Sequence, residues 1–230
     1  MSEIAELTGL NRATCYRFCQ TLLTLGYLEE VGDRKLRPGL KALSLAHSAL
    51  RSRELPELAM PYLRELRTQI NETVNLALLD GNEVVYVARV VSDHLVSLRL
   101  YVGSRLPAYA SSLGRAILAF LPDDEADALI ATSDLERITE KTIIEPRRLK
   151  AELRRIRARG FAVNDQEIAM GLRGVAAPVF SYSQRPIAAV NVSIPRPLKT
   201  PTEIEDVLAP AVVETANSIS ALASQLTIES

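Results

Sequence analysis

The sequence predicts an α+β protein in which a small helix-turn-helix head precedes a larger domain with an antiparallel sheet. Two short amphipathic segments and a hairpin-like segment occupy the first 38 residues. From Thr73 the hydrophobic period changes from helical to alternating, and strand-like runs lie on both sides of a helical middle. That order is typical of a single α+β domain with an antiparallel sheet, and no internal repeat interrupts it.

The head begins with two short helices joined by a tight turn. Ser2 can cap a first helix over 2–8, and Gly9-Leu10 is suited to the turn. Asn11 is a favourable N-cap for a second helix, because its side-chain oxygen can accept from an unpaired backbone N–H of the first turn.

The second helix divides into an apolar stripe and a polar face. Its apolar members are spaced i, i+3, i+4 and i+7 and predict one buried stripe, Cys15, Phe18, Cys19 and Leu22. The other face has few acids, as a helix in the major groove requires. The predicted DNA contacts on this helix are Arg12, Ala13, Thr14, Tyr16, Arg17 and Gln20. An ordinary amphipathic helical hairpin explains the same pattern, so the helix pair alone leaves both interpretations open.

A small basic hairpin follows the helix pair. Residues 27–31 and 35–37 form two strand-like runs around Gly32-Asp33, a turn signal. Arg34 and Lys35 lie at the tip, where they can contact phosphates beside the groove. A helix-turn-helix followed by a basic hairpin is a winged helix, so DNA binding becomes the better interpretation.

The charge distribution agrees with a separate DNA-binding head. The net charge of −1 argues against a general polyanion binder, but residues 1–53 hold eight Lys or Arg against five acids. Cys15 and Cys19 share one helical face, and because His47 and His94 are the only histidines in the sequence, a core role is favoured over a metal site. We expect no metal and no cofactor. The sequence shows no signal peptide and no apolar run of about 18 residues, which predicts a cytoplasmic protein.

A linker helix and a larger domain follow the head. The linker covers 39–53 and carries Leu40, Leu43 and Leu50. The domain covers 54–230 and opens with a helix over 56–70. Strands are predicted over 73–79, 83–91, 94–100, 161–164, 174–180 and 187–194, and helices over 111–121, 123–132, 146–159 and 202–226.

The helix over 146–159 contains seven basic residues. A second nucleic-acid patch and a solvated outer face are both compatible with that charge. The solvated face is favoured, because Leu149, Leu153 and Ile156 complete an apolar stripe of the kind that packs on a domain core.

The larger domain favours a binding site over an enzyme. The sequence has no nucleophile elbow, phosphate loop, dinucleotide fingerprint or zinc-protease motif, so no catalytic residue is predicted. Residues 107–114 contain serines and precede an apolar helix, so hydroxyls and free backbone N–H groups lie at the N-terminus of that helix, where they favour binding of a carboxylate. N-capping of the helix by one serine explains the same residues. Asn164 opens a loop, and Asn191 and Ser193 share one strand face, which either faces water or lines a polar pocket.

Several long motifs in order make the chain similar to the IclR family of bacterial transcriptional regulators. They are EIAELTGLNRATCYRFCQTLLTLGYL in the head, VGSRLPAYASSLGRAILAFLP in the middle, and RARGFAVNDQEIAMGLRGVAAPVF followed by AAVNVSIP near the end. The pattern NDQE, GLRGVAAPVF and AAVNVS further resembles the subgroup that governs aromatic-acid catabolism through protocatechuate, 4-hydroxybenzoate and the β-ketoadipate pathway.

The resemblance implies three parts: a winged helix-turn-helix head over 1–38, a linker helix over 39–53, and a GAF-like effector domain over 54–230. It implies palindromic operator DNA and a small organic acid as partners, and a homodimer or a dimer of dimers. The family's ligand pocket corresponds here to Leu95, Leu98, Leu106, Ser112, Leu113, Asn164, Gly174, Asn191 and Ser193.

Two departures from the family pattern affect what we expect of effector binding and of DNA binding. Asn164 stands where the family usually has an acid, and a neutral amide would repel a carboxylate less. The family's head has a further helix before the segment that starts at Ser2, so the predicted head is N-terminally incomplete. The leading hypothesis is a ligand-responsive regulator of aromatic catabolism. The alternatives are a metabolite-sensing protein that has lost DNA binding and, more remotely, a small enzyme that uses the same pocket.

Overall fold

The computed structural model describes residues 2–32, 35–51, 54–92, 100–195 and 201–226. Two compact units divide the chain, residues 1–54 and residues 55–230. Each is a folded body of its own, and together they give the predicted α+β composition.

The first unit has the predicted order of helices and strands. Its elements are α1 (Ser2–Thr8), α2 (Arg12–Thr24), β1 (Leu28–Val31), β2 (Lys35–Pro38) and α3 (Ala42–Arg51). Asn11 caps α2, since its side chain accepts from the backbone N–H of Thr14 at 2.9 Å. Strands β1 and β2 form an antiparallel hairpin. A Cβ atom on Gly39 would lie 2.4 Å from the carbonyl oxygen of Gly26, so the return from the hairpin requires a glycine.

The predicted apolar stripe of α2 is only half buried. Cys15 and Cys19 are buried with Ala5, and Ile4, Leu28 and Leu36 pack against them. Phe18 and Leu22, by contrast, are 59% and 38% exposed. Within the described residues of this unit, the main contacts of α2 are with α1 and β1, and the buried cluster forms around Cys15 and Cys19, which leaves Phe18 and Leu22 at the surface. The prediction of one continuous buried stripe was therefore wrong for these two residues.

The second unit is built on a six-stranded antiparallel sheet. Its strands are β3 (Thr73–Asp80), β4 (Glu83–Val90), β5 (Arg105–Pro107), β6 (Ala162–Asp165), β7 (Leu172–Phe180) and β8 (Pro186–Pro195), in the spatial order β5-β4-β3-β8-β7-β6. Its helices are α4 (Leu55–Ile70), α5 (Ser112–Leu118), α6 (Asp123–Thr132), α7 (Pro146–Arg159), α8 (Pro201–Glu203) and α9 (Ala209–Leu226), with a π-helical segment over Ile204–Leu208.

Helices cover both faces of the sheet. Runs of consecutive buried residues in β3, β7 and β8 are the mark of strands buried on two sides. Helix α5, supported by α7, packs on one side, while α4 and α9 pack on each other and on the central strands. The stretch Ile204–Ser224 is long and apolar enough by composition to cross a membrane, but its buried residues recur every three or four positions, as in a helix packed on a core.

The structure supports the solvated-face interpretation of α7. Leu149, Leu153 and Ile156 are buried, as predicted. Lys150 pairs with Asp127 at 2.7 Å, and Arg157 pairs with Asp123 at 2.9 Å. The short strand β5 and the π-helical segment were not predicted. Residues 94–99 of the predicted strand over 94–100 lie outside the described residues.

Candidate functional site

A cavity lies between the sheet and the N-terminus of α5. Its volume is about 570 Å³ including the open mouth, a size suited to a small organic ligand. Strand residues from the sheet line one side, and the start of α5 with the loop between β6 and β7 lines the other. The lining residues are Thr73, Tyr86, Arg89, Leu100, Leu106, Ser111, Ser112, Asn164, Ile168, Leu172, Arg173, Gly174, Asn191, Ser193 and Pro195.

Hydrogen-bonded polar side chains form the floor of the cavity and the layer beneath it. Asn75 on β3 lies opposite Asn191 on β8, and its Nδ2 donates to Asn191 Oδ1 at 2.8 Å and to Ser193 Oγ at 3.2 Å. Asn191 Nδ2 then donates to Ser112 Oγ at 3.3 Å. A Cβ atom on Gly174 would lie 2.9 Å from Ser112 Oγ, so the glycine keeps space open beside that hydroxyl.

The start of α5 is held tightly against the preceding segment. Ser111 caps the helix, and its Oγ accepts from the backbone N–H of Gly114 at 3.0 Å. A Cβ atom on Gly114 would lie 2.3 Å from both Cα and the carbonyl oxygen of Ala108, so only glycine permits this approach. Ser112 consequently lines the cavity. The side chain of Leu113, which follows at about 100° around the helix, is fully buried in the core instead.

Asn164 connects two backbone segments. Its Nδ2 donates to the carbonyl oxygen of Ala110, and its Oδ1 accepts from the backbone N–H of Glu167 at 3.2 Å. Because a carbonyl can only accept and an N–H can only donate, these partners fix the orientation of the amide. A carboxylate at this position would place an oxygen against the Ala110 carbonyl.

A buried ion pair joins α5 to the loop after β6. The guanidinium of Arg115 forms a two-pronged pair with Glu167, with Nη1 donating to Oε1 at 2.5 Å, and the two side chains are 1% and 9% exposed. Arg115 Nε also donates to the carbonyl oxygen of Tyr109 at 2.6 Å, and Glu167 Oε2 accepts from the backbone N–H of Ile143 at 3.1 Å. The pair therefore holds the start of α5 and the loop after β6, which together line one side of the cavity, in a fixed position relative to each other.

Two arginines bring positive charge to the cavity. Arg89 lies opposite Asn75 on β4, and burial lowers the pKa of its guanidinium, which remains a cation at neutral pH. Burial also raises the pKa of the nearby Tyr86 to about 12, so its hydroxyl stays neutral. Arg173 Nε donates to Asp165 Oδ1 at 2.7 Å. Partial burial would raise the pKa of Asp165, but hydrogen bonds from Lys141 and Arg173 outweigh it and lower that pKa.

The structure brings most of the predicted pocket residues together. Leu106, Ser112, Asn164, Gly174, Asn191 and Ser193 line the cavity. Leu113 lies in the core, and Leu95 and Leu98 lie outside the described residues. The sequence did not predict a place in this site for Arg89, Arg173 or the buried Asn75. The alternation of β3 and β4 could have placed Asn75 and Arg89 on the cavity face, but the bulge between Leu76 and Ala77 shifts the register.

The polar face of α2 is accessible as predicted. Arg12, Ala13, Tyr16, Arg17 and Gln20 are exposed, and Thr14 is half-buried at the capped first turn. Lys35 is exposed on β2, whereas Arg34 lies outside the described residues. Arg37 pairs with Glu29 across the hairpin at 2.9 Å. In the described part of the chain, no group of three or more His, Cys, Asp or Glu side chains is close enough to hold a metal ion.

Both units match known protein families. Residues 1–32 match the family model of the IclR helix-turn-helix domain, and residues 47–221 match that of the bacterial transcriptional regulator IclR C-terminal domain. The Pca regulon regulatory protein of Pseudomonas putida is 35% identical over 221 residues, which cover 95% of this chain and 75% of that protein.

Solved structures agree with the family match. A transcriptional regulator from Rhodococcus sp. RHA1 superposes with a TM-score of 0.84 at 40% identity, over 98% of this chain and 90% of its own. The inducer-binding domain of the PobR transcription factor from Acinetobacter, in a double mutant complexed with 3-hydroxybenzoic acid, gives a TM-score of 0.68 at 30% identity, over 73% and 98% of the two chains.

Proposed function

The chain belongs to the IclR family of bacterial transcriptional regulators, and we propose that it controls genes of aromatic-compound catabolism in response to a small organic acid. As a member of that family it is a transcriptional regulator with a helix-turn-helix DNA-binding domain and an effector-binding domain. The proposal adds the chemistry of the effector, the place where it binds, and the assembly that binds the operator.

The composition of the cavity carries the proposal. Apolar side chains such as Leu106 and Ile168 line one part, while hydroxyls, amides and two arginines line the rest. Small-molecule sites combine an apolar wall with a few polar groups that fix orientation, and cations beside N–H and O–H donors suit a carboxylate. An organic acid with a compact apolar body therefore fits better than a sugar or a nucleotide.

Two relatives support the aromatic character of the effector. One is named for the Pca regulon, and the other was solved as an inducer-binding domain with 3-hydroxybenzoic acid. Binding of an effector in this cavity requires no catalytic residue. Across the described residues the cavity lining contains no cysteine or histidine, so we propose a sensor and not an enzyme.

We propose that the protein acts as a homodimer or a dimer of dimers in the cytoplasm. A recognition helix contacts only a few base pairs, so useful specificity requires two half-sites about 34 Å apart or a multiple of that spacing. Leu40, Leu43 and Leu45 are 77%, 65% and 58% exposed, and a second copy of the chain could cover this apolar surface.

Ligand titration tests the proposed function. The full chain is heated with a panel of aromatic and dicarboxylic acids, and an acid that binds only the native protein should raise the melting temperature by mass action. Ser193→Ala should raise the dissociation constant of that acid severalfold, because a cavity donor is lost. Asn164→Leu should do the same, since it releases the segments at Ala110 and Glu167. Neither variant should alter operator binding without the acid. Unchanged acid affinity in both variants would contradict the assignment of this cavity.

A further inference from the structure

Asn75 is a buried polar residue on β3. It lies at the centre of the sheet face beneath the cavity, and it is 0% exposed. Its neighbours across the strands, Arg89 and Asn191, both line the cavity, as do Thr73 and Ser193. Asn75 itself is not among the lining residues, so any influence on a ligand must pass through these neighbours.

Only the N–H groups of the Asn75 amide form hydrogen bonds. Its two N–H groups donate to Asn191 Oδ1 and Ser193 Oγ, whereas its Oδ1 is buried without a hydrogen-bond partner. With Asn191 oriented as observed, the reversed amide would instead place its carbonyl oxygen against Asn191 Oδ1. Two oxygens that can only accept would then face each other without a proton between them, so the observed orientation is favoured.

This orientation sets the direction of the hydrogen bonds on the cavity floor. Because Asn75 donates to Asn191 Oδ1, the Nδ2 of Asn191 points towards Ser112 and donates to its hydroxyl. Ser112 and Ser193 thus both accept from the protein, and neither donates to another described group. Each serine hydroxyl has one proton, and each hydroxyl can therefore donate a hydrogen bond to a ligand in the cavity.

We propose that Asn75 is a positioning residue that makes the cavity floor select a carboxylate over a neutral group of the same shape. The proposal rests on the proposed function, in which an organic acid occupies this cavity. Two hydroxyl donors then converge beside Gly174, where the missing side chain leaves space for the carboxylate oxygens. Arg89 adds a positive charge to the cavity lining from β4, the strand on the other side of β3 and β8 from Gly174.

The test compares three matched probes on the full chain by calorimetry: benzoate, benzamide and benzyl alcohol. The parent should bind benzoate about tenfold or more tighter than the two neutral probes, since hydrogen bonds to charged groups are the stronger ones. Asn75→Leu removes the amide donors without adding charge. Its benzoate preference should fall severalfold, while its affinity for benzyl alcohol should remain close to that of the parent.

Asn75→Asp is the second variant. Its carboxylate can only accept, so it should draw the Ser193 proton away from the cavity and abolish the benzoate preference. In a Ser193→Ala background, the effect of Asn75→Leu should shrink, because part of it acts through that hydroxyl. Urea unfolding of each variant monitors folding. In the unmodified chain, the Asn75 side-chain protons seen by nitrogen-15 NMR should exchange slowly with solvent.

The possible results separate this proposal from the proposed function. Binding of all three probes with no preference for benzoate, or an unchanged preference in Asn75→Leu, would overturn the positioning role alone. Rapid exchange of the Asn75 amide protons would also overturn it. If the parent bound neither benzoate nor any acid of the wider panel, the proposed function would fail, and the positioning role would fail with it.

Discussion

Replacing Arg115 by methionine should destabilise the effector domain by about 3–5 kcal/mol, because it leaves the buried Glu167 carboxylate without its cation. The guanidinium and the carboxylate are 1% and 9% exposed, so water cannot take over the lost contacts. The Tyr109 carbonyl also loses its donor, which adds about 1 kcal/mol. For a domain of this size, each kcal/mol lowers the melting temperature by about 2–4 °C, so a fall of at least about 6 °C is expected.

Urea unfolding followed by far-ultraviolet circular dichroism measures this change in the full chain, which contains no tryptophan. Arg154→Met is the matched control, because this exposed arginine lies on α7, and its effect should stay within about 0.5 kcal/mol. The double variant Arg115→Met/Glu167→Met should recover much of the loss, since no uncompensated charge remains buried. A loss below about 1 kcal/mol in Arg115→Met, or purely additive effects in the double variant, would refute the reasoning.

Three further substitutions test the space at Gly174, the polar face of α2 and the hydrogen-bonded carboxylate of Asp165. Gly174→Ala should weaken binding of the acid severalfold with little loss of stability, because the new Cβ atom would lie 2.9 Å from Ser112 Oγ. Calorimetry measures the affinity, and an unchanged value would contradict this prediction. Arg17→Ala should weaken operator binding by about 1–3 kcal/mol if Arg17 contacts a base, whereas Arg154→Ala should leave operator binding unchanged. Equal losses of affinity in gel-shift titrations would refute the assignment of α2 as the helix that contacts DNA. The pKa of Asp165 is lowered on folding, so its contribution to stability is present above about pH 4 and is lost as the pH falls towards the folded pKa. Urea unfolding of Asp165→Asn should therefore show a weaker dependence on pH in that acidic range than the parent, and identical profiles would exclude this role.

Local sequence signals predicted the elements that define the fold. The Asn11 cap, the glycine turn of the hairpin and the alternation of β8 each depend on neighbouring residues, and the structure confirms the cap and the strands. The same signals misplaced Phe18. The spacing of apolar residues shows that a helix has an apolar side, but it does not show whether another element covers that side.

The arrangement of the cavity depends on partners that are distant in sequence. Asn75 and Asn191 are separated by 116 positions, and Arg115 and Glu167 by 52. Neither pair belongs to a short motif, so spacing along the chain could not reveal it. Ser112, Asn164, Asn191 and Ser193 came from polarity and from the resemblance to the family. Their hydrogen-bond directions became apparent only when the strands were paired.

A crystal structure of the complex with the tightest-binding acid from the panel tests the central claim most directly. We expect a carboxylate within hydrogen-bond distance of the hydroxyls of Ser112 and Ser193, with the body of the acid against Leu106 and Ile168. An acid bound outside this cavity, or bound with its carboxylate turned away from both serines, would contradict the account.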